Sequence, residues 1–443
     1  MSGIDWDLVD YVVESGDEST TDVNDARALP PQCYTSYSFF EFEKRALFDR
    51  EWLCVGRADL IPNPGDYLTI TINDDPLLVV HGLDGHIRVM TAVCQHRSHL
   101  LAEVPGHTDR IFRCPLHYWS YDTEGRVVNA TGMKKARNFD KSDYCLPQLK
   151  VEVWEGFIFA NHDWDAKPLA PTLSKLSDEM VNYDVAHMVS IPTMDIPDYA
   201  WNWKQMIENA MEPFHTHFLH KGPHDFAPWP DFVTWDDDDG QIMHPTRFVV
   251  RDGAFNAIHK ALLPTIEALT EEQHSRVMFA TVPPLLFLGL VPDHMFYFLI
   301  LPEGPRQITL RVGLSFPPAS MQTPNFEHMP FAPASTDVRS DHDRGVAEEV
   351  RGERQHPGIL DKHLPDGRTP NGLPELGKVP LSLPDRVLSE ERGDVRSVLE
   401  DVACLDVAVH DMGDRTLCLE EIHSLAQTLQ FRFVHRRNSL RSC

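Results

Sequence analysis

CQHRSHLL, residues 94–101, and CPLHYWSYDTEGRVVNA, residues 114–130, decide how the rest of this chain is read. Cys94 and His96 form a CxH pair, Cys114 and His117 a CxxH pair, and 17 residues lie between the two. Each pair can occupy the tip of a β-hairpin, so that two thiolates and two imidazoles pinch a metal centre between them. Sulfur and imidazole donors suit zinc or an iron–sulfur cluster. Scattered cysteines and histidines are usually core filling, but four at this spacing favour ligands. Zinc fingers generally place a cysteine pair before a histidine pair. Here each pair is mixed, as a [2Fe–2S] cluster requires when one iron takes two cysteines and the other two histidines.

Outward from these boxes the pattern is that of a compact β unit. Short β-branched runs alternate with turn signals at Tyr67–Ile72, Leu77–His81, Ile87–Val93 and Val151–Phe159. Upstream, Phe39–Trp52 reads as a surface helix. The first 25 residues carry eight acids and no Lys or Arg, which reads as a solvated arm with one short amphipathic turn at Trp6–Val13. Downstream, a helical pattern covers Lys204–His220, and strands are expected at Arg276–Thr281, Met295–Leu301 and Gln307–Ser315. Between Pro317 and Pro384 lie 11 of the 34 prolines, an irregular excursion. A helix with the apolar stripe Val395, Val398, Leu399, Val402, Leu405 and Val409 follows, and a last helix runs from Glu420 towards His435.

The 443 residues suffice for two or three packing units. Acids outnumber bases 67 to 40, a net charge of −27 that repels phosphate backbones and disfavours nucleic-acid binding. No stretch reaches the roughly 18 uncharged apolar residues of a membrane span, and the N-terminus lacks a basic region before an apolar run. A cytoplasmic enzyme is therefore expected. Eight cysteines spread over the chain form no disulfide framework.

A second constellation lies in NWKQMIENAMEPFHTHFLHKG, residues 202–222. Glu212 precedes His215 by three and His220 follows by five. Two imidazoles plus a carboxylate on one side of a ferrous ion leave positions open for oxygen and substrate. A histidine-rich helix end, with His217 and His224 nearby, also fits a hydrated surface. Of the aromatics around this segment, Phe287 and Phe296 among them, most must be core and some can line an apolar pocket.

Taken together, the chain resembles the oxygenase α subunit of Rieske non-haem iron oxygenases, the aromatic-ring-hydroxylating dioxygenases. The resemblance rests on the two cluster boxes, on LFDREWLCVGRADLIPNPGDY (47–67), VEVWEGFIFANHDWDAKPL (151–169), ENAMEPFHTHFLH (208–220) and LPEGP (301–305). Ser98 and Tyr118 depart from the glycine or small residue usual in the family. The resemblance implies an α+β chain: an acidic arm at 1–38, an all-β Rieske [2Fe–2S] domain at 39–165, and a helix-grip (START-like) catalytic domain with an antiparallel sheet at 166–443, including the excursion 317–384.

It also implies roles. Cys94 and Cys114 would hold the inner iron and His96 and His117 the outer one. His215, His220 and a distant carboxylate would hold a mononuclear Fe(II), and SVLEDVACLD (397–406) points to Asp401, with Asp406 nearer the centre of the apolar stripe as its rival. Glu212, where the family usually has Asp, would bridge that iron to the cluster of a neighbouring subunit. The implied assembly is a head-to-tail homotrimer, with or without a β subunit. NADH electrons would arrive through a separate reductase and in some systems a ferredoxin, since no GxGxxG loop stands in the chain. The implied activity is O2-dependent hydroxylation of an aromatic or other apolar small molecule, as in aromatic hydrocarbon catabolism. Oxidative N- or O-demethylation and oxidation of a quaternary ammonium substrate share the same iron chemistry. A Rieske electron carrier or a structural-zinc protein is the reading from another class.

Overall fold

The computed structural model describes residues 4–19, 27–211, 246–251 and 263–326. These belong to one compact unit, Met1–Phe326 with Val407–Cys443, while a second unit, Glu327–Asp406, lies outside the described residues. The Pro-rich excursion, the stripe from Val395 and the last expected helix therefore also fall outside them. Among the described residues no helix is long and apolar enough to cross a membrane.

The N-terminal arm is packed, not solvated. Helix α1 (Trp6–Ser19) buries Val9 and Val12, spaced to share one face, against Cys33, Phe39 and Phe42. After the short α2 (Gln32–Thr35), the expected surface helix is instead α3 (Tyr37–Glu43) followed by a π-turn at Lys44–Phe48, with Phe39, Phe40, Phe42, Leu47 and Phe48 all buried. The alternating charges concealed an apolar face. Most of the charged side chains reach solvent, but Glu43 is buried.

Ten strands build the β unit: β1 (Leu53–Arg57), β2 (Asp66–Ile72), β3 (Asp75–His81), β4 (Ile87–Thr91), β5 (Gly106–His107), β6 (Ile111–Arg113), β7 (Ser120–Asp122), β8 (Val127–Asn129), β9 (Gln148–Trp154) and β10 (Phe157–Asn161). Seven form an antiparallel sheet in the order β1-β10-β9-β4-β3-β2-β5, and β6-β7-β8 form a separate three-stranded sheet. The single strand expected at Val151–Phe159 is a hairpin. Glu155 and Gly156 both take positive φ, 47° and 78°, as the tight turn matching strand twist demands.

After α4 (Ser174–Met180) come β11 (Val189–Ser190), β12 (Met194–Tyr199), α5 (Trp203–Met211), β13 (Thr246–Arg251), β14 (Arg276–Val282), β15 (Leu286–Val291), β16 (His294–Gly304) and β17 (Gln307–Phe316). They make a second antiparallel sheet, β11-β17-β16-β15-β14-β13, with β12 also on β17. The strands expected from 276, 295 and 307 are present, while β12, β13 and β15 were not foreseen. Helix α5 packs against β14 and β16, as one arm of the helix-grip architecture. The terminal helix that would complete it is outside the described residues.

Register assigns the sheet two faces. Phe279, Phe287, Phe296 and Phe298 share one, with ring centroids 5.5–6.1 Å apart. Tyr297 sits on the other, edge-on to Phe157 of β10 at 5.2 Å. Gly289 and Gly313 lie under the rings of Phe296 and Tyr297, where a Cβ would come within 2.1 Å of ring carbon. The two sheets are joined by Arg57, fully buried. It donates to the Val185 carbonyl at 2.9 Å and pairs with Asp59, whose other oxygen accepts the Ser190 N–H at 2.6 Å.

Candidate metal centre

The two cysteine–histidine boxes do lie at hairpin tips. The pair Val93 and Leu100 closes the first loop, and Arg113 opposite Ser120, between β6 and β7, closes the second. Their backbones repeat one pattern. The Cys94 N–H donates to His99 O at 2.9 Å and the Ser98 N–H to Cys94 O at 3.0 Å. Likewise the Cys114 N–H donates to Trp119 O at 2.8 Å and the Tyr118 N–H to Cys114 O at 3.0 Å. Four residues after each cysteine the chain turns left-handed, Ser98 at φ 51° and Tyr118 at φ 60°. Glycine adopts that conformation without penalty, so the departures noted at these positions carry strain but keep the turn.

Within this frame Cys94 and Cys114 are buried free thiols. The rings of His96 and His117 stand 4.8 Å apart and nearly perpendicular, and His96 lies flat on Trp119 at 4.8 Å and 4°. Nδ1 of His96 is buried and accepts or donates no hydrogen bond, an arrangement that costs free energy unless the atom has another partner. Partial burial, with the neighbouring His117 and Arg97, lowers the pKa of His96 and favours the neutral, ligating imidazole. Among the described residues no three His, Cys, Asp or Glu side chains converge as one metal ion needs. Two thiols and two imidazoles are the donor set that a [2Fe–2S] cluster with one histidine-ligated iron takes.

Tyr121 of the second box reaches back to the first loop. Its hydroxyl accepts the Gln95 N–H at 3.0 Å and lies 3.4 Å from Cys94 Sγ. Burial, then the hydrogen bond to Cys94, push its pKa up, so the phenol keeps its proton; either atom of the Tyr121–Cys94 pair can be the donor. The signal available in sequence was alternation along β7, which turns Trp119 and Tyr121 to the same side. Trp119 is held in turn by Phe139 and Tyr144, each 5.5 Å away edge-on, and donates from Nε1 to Thr131 O at 3.3 Å.

Glu212, His215, His220, Asp401 and its rival Asp406 lie outside the described residues. What is described is the helix that leads to them. Asn202 and Gln205 form a reciprocal cap at the start of α5: Asn202 Oδ1 accepts the Lys204 N–H and Gln205 Oε1 accepts the Asn202 N–H. Lys204 Nζ meets Glu43 at 2.7 Å with both side chains buried, and Tyr34 donates to Glu208 at 2.8 Å. Burial raises the Glu208 carboxyl to about 7 against the pull of Tyr34 and Lys204. These contacts fasten α5 to the N-terminal helices, one residue short of Glu212.

Comparison with known proteins gives two family profiles, the Rieske [2Fe-2S] domain over residues 51–144 and the ring hydroxylating alpha subunit (catalytic domain) over residues 178–359. The chain is 29% identical over 198 residues to the carnitine monooxygenase oxygenase subunit of Acinetobacter pittii, covering 44% of this chain and 53% of that protein. It is 33% identical over 194 residues to the glycine betaine monooxygenase oxygenase subunit of Chromohalobacter salexigens, covering 44% and 43%. It is 33% identical over 198 residues to the biphenyl 2,3-dioxygenase subunit alpha of Rhodococcus jostii, covering 44% and 42%. The chain thus spans about half the length of the curated relatives it matches. Among solved structures, a quaternary ammonium Rieske monooxygenase in complex with L-carnitine gives a TM-score of 0.58 at 20% identity, covering 76% of this chain and 85% of that one. Naphthalene 1,2-dioxygenase from Rhodococcus sp. bound to indole gives 0.57 at 20%, covering 69% and 77%. Paired hairpin boxes, an antiparallel second sheet and the two matched profiles converge on one conclusion: the chain carries a Rieske [2Fe-2S] domain followed by the catalytic domain of ring hydroxylating alpha subunits.

Proposed function

We propose that this chain is the terminal oxygenase of a multicomponent system, taking NADH-derived electrons from a separate reductase, with or without a ferredoxin, to insert oxygen from O2 into a small molecule. The observation that carries the reading is the matched pair of loops: two buried thiols and two adjoining imidazoles, one with an enclosed, unpartnered Nδ1. Cys94, Cys114, His96 and His117 are the proposed cluster ligands, in a Rieske domain set at 39–165. His215, His220 and Asp401 are the proposed ligands of a mononuclear Fe(II) in the remaining 166–443, and Glu212 the bridge between subunits of a trimer acting in the cytoplasm. Bound there, the cluster supplies single electrons and the lone iron the chemistry of O2.

For the substrate, two readings stand, each with its own support. The Phe279, Phe287, Phe296 and Phe298 face offers an apolar lining for an aromatic ring. The carnitine and glycine betaine relatives favour a quaternary ammonium compound, which aromatic faces also accommodate through cation–π attraction. Oxygen uptake with a reductase and a panel of carnitine, glycine betaine, aromatic acids and aromatic hydrocarbons decides between them. Purified protein without acid-labile sulfide, or with two irons per chain in place of three, overturns the oxygenase reading.

A further inference from the structure

Lys204 stands in α5 with its charge already matched. Its Nζ meets Glu43 of α3 at 2.7 Å, both side chains buried, and the rings of Tyr34, Phe39 and Trp203 lie 5.4, 5.8 and 5.0 Å from the ammonium. One turn further along α5, Glu208 accepts from the Tyr34 hydroxyl at 2.8 Å. The backbone shares this seat: Asn202 donates to the Tyr34 carbonyl at 3.1 Å and to the Pro305 carbonyl at 2.7 Å. Among the described residues one cation thus stands with two carboxyls. The other titratable groups here are Cys33 and Tyr34 of α2. Burial pushes the Cys33 thiol up to about 12 and the Tyr34 phenol well above its ordinary value, so both stay neutral.

Charge balance follows from that count. Ionised Glu43 cancels Lys204, and a second carboxylate would leave an uncompensated negative charge between packed helices, which costs more than keeping a proton. Burial raises Glu43 too, but Lys204 opposes it with a charge and a hydrogen bond. Glu208, bonded to a neutral phenol, is the carboxyl that keeps its proton, raised by burial to about 7. Neutral, it stays enclosed beside Tyr34; ionised, it is drawn towards water. The consequence reaches past this cluster, because α5 ends at Met211 and the segment from Glu212 to His220 begins at the next residue.

We propose that Tyr34 and Glu208 are positioning residues for the iron segment: the hydrogen bond between them seats α5 on the N-terminal helices, firmly while Glu208 is protonated and loosely once it is ionised. The inference rests on the reading of His215 and His220 as iron ligands proposed above, and it needs no contact between Glu208 and the metal. A carboxyl raised in the folded chain holds its proton there more tightly than when exposed. Its contribution is therefore complete below the ordinary value of 4.5 and is lost as the pH climbs through about 7.

The test follows amide exchange of residues 203–211 in the holoenzyme, corrected for the intrinsic pH dependence, beside the EPR signal of nitric oxide bound to the lone Fe(II). Exchange there should speed about tenfold between about pH 5 and pH 7 and level off above, and the nitrosyl signal should shift over the same range. In Glu208→Gln both should be flat. In Tyr34→Phe, the milder change, the step should move to higher pH, because the phenol no longer favours the carboxylate. A step that persists in Glu208→Gln overturns the proposal, as does one left unmoved in Tyr34→Phe or an exchange rate indifferent to pH in the wild type. So does a step confined to 203–211 with the nitrosyl signal unchanged, which would make the bond a structural fastening alone. A protein holding no iron that reacts with nitric oxide at any pH would instead sink the mononuclear-iron reading, so the two failures are separable.

Discussion

The loops 94–99 and 114–119 share one hydrogen-bond pattern and one left-handed residue apiece, yet their histidines end in different surroundings. His96 is covered by Trp119, which the second loop supplies five residues after its cysteine; the first loop places His99 at the equivalent position and sends its side chain to the Leu100 carbonyl instead. Among the described residues His117 has no such cover and stands exposed between Leu116 and Tyr118. Backbone geometry thus sets ligand spacing, while a single neighbouring indole decides which imidazole meets a partner.

The comparison can be broken most severely at its shared element. Replacing either cysteine, Cys94→Ser or Cys114→Ser, should abolish the cluster, since each loop contributes one of the two thiolates; loss of visible absorption and of acid-labile sulfide in both variants is the expected result. Retention of full colour in either would end the equivalence of the loops. Next in size is the asymmetry. Trp119→Ala should destabilise the protein by about 3–5 kcal/mol, as expected for a buried indole, whereas the exposed neighbour Tyr118→Ala should stay within about 1 kcal/mol; urea midpoints of the two variants measure the contrast.

A smaller change sharpens the comparison from the sulfur side. Among the described residues Tyr121 is within hydrogen-bond reach of Cys94 and not of Cys114, so Tyr121→Phe should leave the cluster in place but lower its reduction potential by roughly 60 mV, about 1.4 kcal/mol for one electron. Redox titration reads this directly, and an unchanged potential would deny the hydrogen bond any electronic role. Smallest of all are the turn positions. Ser98→Gly and Tyr118→Gly each relieve a positive φ, and each should shift stability by no more than about 1 kcal/mol, with spectra unaltered.

How much of this could be read along the chain follows from the range of each interaction. The CxH and CxxH boxes, the strands around them and the helix entering the ENAMEPFH segment are local patterns, and they were legible. The full length of helix α1, beyond the turn expected at Trp6–Val13, and the burial of Phe39, Phe40 and Phe42 were not, because acidic side chains dominate those windows and the apolar face becomes evident only when a partner covers it. The hairpin at Glu155–Gly156 was missed because a lone Glu-Gly pair between Trp154 and Phe157 is a weaker turn signal than Asn-Gly or Asp-Gly, and the backbone reversal rests on two positive φ angles.

Donor type and donor spacing are properties of neighbouring residues, which is why four candidate donors and a cluster class could be read from letters alone. No local rule places Glu43 against Lys204, 161 positions later, or Arg57 against the carbonyl of Val185. Those pairings arise where two surfaces, each built separately, exclude water together and leave a charge with one available partner. The sheltered His96 and the exposed His117 are of the same kind: they depend on what packs next to what, and only the folded chain settles that.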